Sequence, residues 1–329
     1  MLAPNEWRPR PTQRLRQAKA VGKGRRRTRE GELSRPLRRR DGRAVIVTIR
    51  QPSARRLEIH AATSCRLGRP DVLAIRAQVA RMLRLGAQDD AVASEFALAN
   101  KDLADRGPVG RLFRSPSFFE DLVKTFTLCN CGWGRTLSMN AALCHHVGSA
   151  GAFPSPAELV RAGPKRLRRL CGVGYRAERI VRLARAVDAG RLDLDAIEAT
   201  RDEEACGASC AEIFGLGPFG VANALQLLGH YGRIPADSET VRHLQQARGV
   251  RSCSLVNVRE KAARAYARHA PLQFLRYWTE LWRSYEDRMG GRACEVEPEQ
   301  YHLASAAYMR VERQPYSLAN VKRRPAARR

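Results

Sequence analysis

The spacing of apolar positions changes twice along the 329-residue chain. Residues 1–43 hold few apolar side chains and keep neither a two-residue nor a helical period, which predicts a disordered basic arm. Residues 44–68 then read as a short β region: the segments AVIVTI (44–49) and LEIH (57–60), separated by QPSARR, predict an antiparallel hairpin. From Pro70 onward the period is helical. Val72, Ile75, Val79, Met82 and Leu83 line one face of a first helix, and a second amphipathic helix runs from Asp89 to Asp105. Ser115 as N-cap and Pro116 in the first turn open a helix that buries Phe118, Leu122, Phe126 and Cys129. The two glycines in residues 130–135 break that run before the next helix, 136–147. Residues 153–156 open another capped helix, and Gly172-Val-Gly174 turns the chain into a helix that reaches Val187. Residues 193–200, 203–213, 237–249 and 258–288 complete a helical domain spanning 69–289, and residues 290–329 read as a basic, largely disordered tail. The fold class expected is mainly α, a helical bundle with a small N-terminal antiparallel β region.

Charge narrows the choice of partner. Fifty-nine Lys and Arg against thirty-three Asp and Glu give a net charge of +26. Of this, +11 lies in residues 1–43 and +5 in the last twelve residues, so the segments between are basic as well. A polyanion partner follows, and nucleic acid leads, because no run of eighteen apolar residues marks a membrane span. The blocks GKGRRRTR (22–29) and RPLRRR (35–40) suit a nuclear-import signal, a DNA tether or part of an organellar presequence. The nucleus is the compartment expected, with chloroplast or mitochondrion as alternatives. The nine cysteines are odd in number and scattered without zinc spacing, which fits structural thiols in a reducing compartment.

Candidate chemistry concentrates in residues 213–237, IFGLGPFGVANALQLLGHYGRIPAD. Gly215 and Gly217 bracket Leu216 in a tight turn, Pro218 opens a helix, and Gly229 closes it. Backbone N–H groups at such a helix start suit a phosphate oxygen. Asp237, two residues after Pro235, reads as a helix cap. Asn130 equally suits a helix C-cap, Tyr175 a core position, and Phe274 and Trp278 an ordinary core stripe with Leu281, Trp282 and Tyr285.

The glycine hairpin followed by Pro235 and Asp237 resembles the helix-hairpin-helix and Gly-Pro-Asp (HhH-GPD) signature of the base-excision DNA glycosylase superfamily. Cys129-Asn130-Cys131-Gly132-Trp133-Gly134-Arg135 and Gly172-Val173-Gly174-Tyr175-Arg176-Ala177 are similar to the 8-oxoguanine glycosylase branch, and the whole is most like plant and algal members. The resemblance covers roughly residues 110–288. It implies a glycosylase bundle that flips a damaged base and hydrolyses its N-glycosidic bond, with Asp237 as the catalytic carboxylate.

Further roles come from the same resemblance. Asn130 would fill the vacated stack, Tyr175 wedge beside the orphaned base, and Arg135 and Arg176 read it. Arg169, Gly215, Gly217, Phe219 and Gly220 complete the implied DNA-contacting set. Phe274 and Trp278 would form a base pocket, suited to a cationic alkylated purine. Family members that also cut the strand carry a Lys where this chain has Phe219, so a monofunctional enzyme acting on an alkylated or oxidised purine is expected. Backbone carbonyls of Ala211, Ile213 and Leu216 would hold a monovalent cation, K⁺ or Na⁺. No other cofactor and no iron–sulfur cluster is implied. The partner is double-stranded DNA bearing a lesion, and the protein is expected to act as a monomer. The rival reading is a noncatalytic helix-hairpin-helix DNA-binding module. A Mg²⁺-dependent nuclease finds only Asp202, Glu203 and Glu204, which look like a solvated helix start.

Overall fold

A computed structural model describes residues 32–53, 56–63, 66–106 and 111–289. The basic block at 22–29 and the tail at 290–329 lie outside the described residues. Three antiparallel strands come first: β1 (Glu32–Arg38), β2 (Ala44–Ser53) and β3 (Arg56–Ala62), in the order β1-β2-β3. Twelve α-helices follow among the described residues: α1 (Arg69–Leu83), α2 (Ala87–Ala99), α3 (Phe118–Leu128), α4 (Trp133–His146), α5 (Pro156–Cys171), α6 (Arg176–Asp188), α7 (Leu194–Ala199), α8 (Glu203–Ala211), α9 (Pro218–Leu228), α10 (Ser238–Ala247), α11 (Val258–Tyr266) and α12 (Gln273–Met289). The chain divides into two compact units between His230 and Tyr231, so the helical stretch read as one domain over 69–289 belongs to both.

The sheet starts earlier than the sequence pattern predicts. Residues 32–38, assigned to the disordered arm, form β1, with Leu33 opposite Ile49 and Leu37 opposite Val45. Arg and Pro mask the strand in a hydropathy pattern, but β1 is an edge strand, where Pro36 is tolerated. Its arginines are structural. Arg35 donates to both Glu120 oxygens at 3.0 and 3.1 Å and Arg38 donates to the Phe153 carbonyl at 2.8 Å, while Arg39, just past the strand, pairs with Asp71 at 2.9 Å. Leu33, Leu37, Val45, Val47 and Ile49 pack against Ile75, Val79, Met82 and Leu83 of α1 in a core of their own.

The larger core of the first unit is built around α3, whose Leu122, Val123 and Phe126 are fully buried among residues of α4, α5, α6, α8 and α9. The α3 cap is Ser117, not the expected Ser115: the Ser117 hydroxyl accepts the Glu120 N–H at 3.3 Å. Ser115 instead hydrogen-bonds Lys124 Nζ through its hydroxyl at 3.1 Å and gives its N–H to Asp121 at 2.8 Å. Helix α5 opens with a capping box between Ser155 and Glu158 and kinks at Gly163, just before Pro164. In the second unit, the run 258–288 read as one helix is split into α11 and α12, because Pro271 cannot continue a helix and pushes Ala270 out of the helical region.

Candidate nucleic-acid interface and acidic site

The first unit gathers residues from three turns on one face. After α3, Asn130 adopts a left-handed conformation at φ 52, a geometry that Asn tolerates better than most residues. Its side-chain amide donates to the Tyr175 hydroxyl at 3.1 Å, joining two turns 45 residues apart. Tyr175 is 48 % exposed, which rules out the core position. The Arg176 and Arg179 guanidinium carbons lie 4.7 and 5.0 Å from the centre of its ring. Arg182, further along α6, lies 4.1 Å from the ring of Phe214, itself 52 % exposed in the turn between α8 and α9. Exposed aromatic rings flanked by guanidinium groups suit stacking and phosphate contact together.

One expected reader of the base is turned inward. Arg176 is buried, and its guanidinium donates to the Cys129 and Asn130 carbonyls. It braces the Asn130 turn instead of facing a ligand, since those two carbonyls lie past the end of α3 and have no helical donors. Arg179, half-buried, and Arg182, exposed, are the cations that flank the rings of this face. Their spacing of four and seven residues from Tyr175 on one helix was the available signal, and the sequence reading did not use it. Phe214 was also missed. Arg135 and Arg169 are exposed.

The hairpin glycines divide by cause. Gly215 sits at φ +84, and a Cβ there would fall 2.6 Å from Arg179 Cδ. A Cβ at Gly220 would fall 2.6 Å from Leu216 Cδ1. Gly217 differs: its φ is ordinary, and a Cβ would meet nothing within 4 Å. The fold itself does not require glycine at 217, whereas close approach by an outside group would. Pro218 starts α9 and no side chain caps it, which leaves the helix start to an anion. Ile213 and Leu216 anchor the turn by burial. The Ile213 carbonyl accepts the Leu216 N–H at 3.0 Å.

The acidic group lies in the second unit. Asp237 is the N-cap of α10, and its Oδ1 accepts the N–H groups of Glu239 and Thr240 at 2.9 Å each and the Thr240 hydroxyl at 3.2 Å. No hydrogen bond reaches Oδ2 among the described residues, and that oxygen is not among the buried unpaired atoms. Burial raises the Asp237 pKa, against the lowering effect of the Thr240 hydrogen bonds. The helix-cap reading of Asp237 therefore holds for Oδ1, while Oδ2 stays without a hydrogen bond among the described residues.

The expected base pocket is corrected by burial. Phe274 and Trp278 are only 2 % and 9 % exposed. Phe274 stacks on Tyr231 at 6.3 Å and on Trp278 at 5.7 Å, and Trp282 and Tyr285 continue the aromatic row. The apolar stripe of α12 is the core of this unit.

No protein-family model matches the chain, and no curated protein matches it. Solved structures do. The 3-methyladenine DNA-glycosylase from Archaeoglobus fulgidus is similar at 21 % identity and TM-score 0.58, over 77 % of this chain and 87 % of that one. MBOgg1 in complex with a low-affinity DNA ligand is similar at 18 % identity and TM-score 0.56, over 75 % and 86 %. The Clostridium acetobutylicum 8-oxoguanine glycosylase/lyase, in complex with double-stranded DNA containing cytosine opposite 8-oxoG, is similar at 16 % identity and TM-score 0.56, over 77 % and 88 %. At such identities the shared feature is the fold. Among the described residues, no helix is long and apolar enough to cross a membrane.

Proposed function

We propose that this chain, which has the fold of the HhH-GPD-type DNA glycosylases, is a DNA glycosylase of base-excision repair. It flips a damaged purine, alkylated or oxidised, out of the duplex and hydrolyses the N-glycosidic bond without cutting the strand. The observation that carries this reading is the Asp237 carboxylate, anchored through Oδ1 and open at Oδ2. As the base departs, the sugar becomes oxocarbenium-like at C1′. An ionised carboxylate beneath it stabilises the positive charge and orients, or deprotonates, the attacking water.

The first unit supports the flip. Opening the stack costs a few kcal/mol, and the exposed Tyr175 ring, held by Asn130, is a rigid group to insert beside the opened step. The uncapped start of α9 and the bare Gly217 serve a backbone phosphate, with a monovalent cation held by the carbonyls of Ala211, Ile213 and Leu216. Phe219 has no amine to form a Schiff base with C1′, and no Lys lies between Lys165 and Lys261. Borohydride is therefore expected to trap no covalent adduct with DNA.

The test is base release from a panel of alkylated, oxidised and deaminated duplexes by the wild type and by Asp237→Asn. Asn caps a helix about as well as Asp, so this substitution spares α10. Release is expected to vanish in the variant while affinity for an abasic duplex persists. Full activity in Asp237→Asn would remove the carboxylate from the mechanism. Binding without release from any duplex would leave a noncatalytic DNA-binding module.

A further inference from the structure

The hydrogen bonds around Asp237 continue past α10 into the core of the same unit. Thr240 Oγ lies 2.9 Å from the Tyr277 hydroxyl, 3.2 Å from Asp237 Oδ1 and 3.3 Å from the Pro235 carbonyl, and it accepts the Asp237 N–H at 3.3 Å. A hydroxyl has one proton and two lone pairs. The Asp237 N–H fills one lone pair. The Tyr277 hydroxyl has no other hydrogen-bond partner among the described residues, so its proton goes to the second. The single Thr240 proton is then left for Oδ1 or for the Pro235 carbonyl, and the carboxylate is the stronger acceptor. Tyr277 stays a donor: burial, reinforced by the Asp237 charge, pushes its pKa well above that of an ordinary phenol.

We propose that Tyr277 is a positioning residue for the reaction, acting through the Thr240 hydroxyl to hold Asp237 Oδ1 inward and leave Oδ2 for the sugar. This rests on the reading of Asp237 as the catalytic carboxylate. The relay is rigid. Thr240 is fully buried and Tyr277 is 3 % exposed. The Tyr277 ring meets His243 and Tyr266 edge-on at 5.4 and 5.8 Å. Two other groups bear on the Asp237 charge or its relay. Glu239, next on α10, opposes ionisation of Asp237 and is itself paired with Arg242. His243 is occupied by the Tyr266 hydroxyl at 2.9 Å.

The experiment compares Tyr277→Phe, Thr240→Ser and Asp237→Asn in the full chain. Tyr277→Phe keeps the ring contacts and removes only the hydroxyl. Single-turnover base release across pH, affinity for an abasic duplex, melting temperature and a carboxyl NMR titration of Asp237 are measured. In Tyr277→Phe the maximal rate is expected to fall on the order of tenfold. Affinity should not change. The acid limb should move to higher pH, because the Thr240 hydroxyl, no longer polarised by the Tyr277 proton, becomes a weaker donor to the charged form of the carboxylate. Thr240→Ser retains the hydroxyl and is expected to behave as wild type. The inference is overturned if Tyr277→Phe keeps the wild-type rate and acid limb while Asp237→Asn is dead. It is equally overturned if the rate falls together with melting temperature and affinity while the limb stays in place. Activity in Asp237→Asn would instead sink the catalytic assignment. The NMR titration reads the relay without turnover: an Asp237 midpoint unmoved by Tyr277→Phe refutes it.

Discussion

Gly215 and Gly217 stand two residues apart, yet substitution should affect them differently. Gly215→Ala places a Cβ in a left-handed backbone and against the Arg179 side chain, which must leave the Tyr175 ring. A loss of about 1–3 kcal/mol in folding stability is expected, read as a lower urea midpoint, together with weaker DNA binding. Gly217→Ala meets open space at an ordinary φ, so stability should fall by no more than about 1 kcal/mol, the usual range for an N-cap. If a phosphate approaches that backbone, duplex affinity should nevertheless drop in Gly217→Ala. An unchanged affinity would show that nothing docks at the α9 start. The two variants separate a glycine needed by the fold from one needed by a ligand.

At the scale of elements, arginines from one segment finish another. Arg84 follows α1 in a left-handed conformation and is 2 % exposed. It reaches the carbonyls of Gln226 and Leu227 at 2.7 and 2.8 Å in the last turn of α9, where the Gln226 carbonyl otherwise takes only the Gly229 N–H at 3.3 Å. Arg84→Met keeps most of the side-chain volume but removes the donors, and should cost about 2–4 kcal/mol, checked by chemical unfolding. Because α9 carries the hairpin, a measurable loss of DNA affinity should accompany it. Arg81 is a second such brace: it donates to Asp121 and Glu198, both at 2.8 Å, and so links α1 to α3 and α7. These contacts explain why a chain with so many arginines does not display all of them as a phosphate-binding surface.

For the whole molecule, Glu120 and Glu280 have the most depressed carboxyl pKa values, with Asp71 and Glu158 lowered as well. Burial alone would raise the Glu120 pKa, but the charges of Arg35 and Lys124 outweigh it and hold the carboxyl at about 2, below an ordinary 4.5. In the second unit, burial of Glu280 is similarly outweighed by the neighbouring His243, 3.6 Å away, and by hydrogen bonds from Tyr266 and Arg276, again giving about 2. A carboxylate with a depressed folded-state pKa stabilises the fold fully above its unfolded value and loses that contribution as pH falls through the folded one. Urea midpoints should therefore decline between about pH 4.5 and pH 2. Arg35→Gln should flatten the part of that decline owed to Glu120. If the proposed duplex binding rests on phosphate contacts by this chain of net charge +26, affinity should fall steeply between about 50 and 200 mM salt, measured by fluorescence anisotropy.

The sequence by itself determined the helical class, the small antiparallel β region, the glycine hairpin at 215–217 and the helix-capping acid at 237, because these rest on local period, turn chemistry and capping. It also singled out Asn130 and Tyr175 without showing that they touch. Tertiary structure decided which way side chains face. Packing turned Arg176 inward, brought Arg179 and Phe214 to the exposed face, closed Phe274 and Trp278 into a core, and made a strand of the Arg-rich residues 32–38. It also set Tyr277 against Thr240, 37 residues away. A hydropathy period reports how apolar a position is, but whether a side chain braces a carbonyl or meets a ligand depends on the packing of elements distant in the chain.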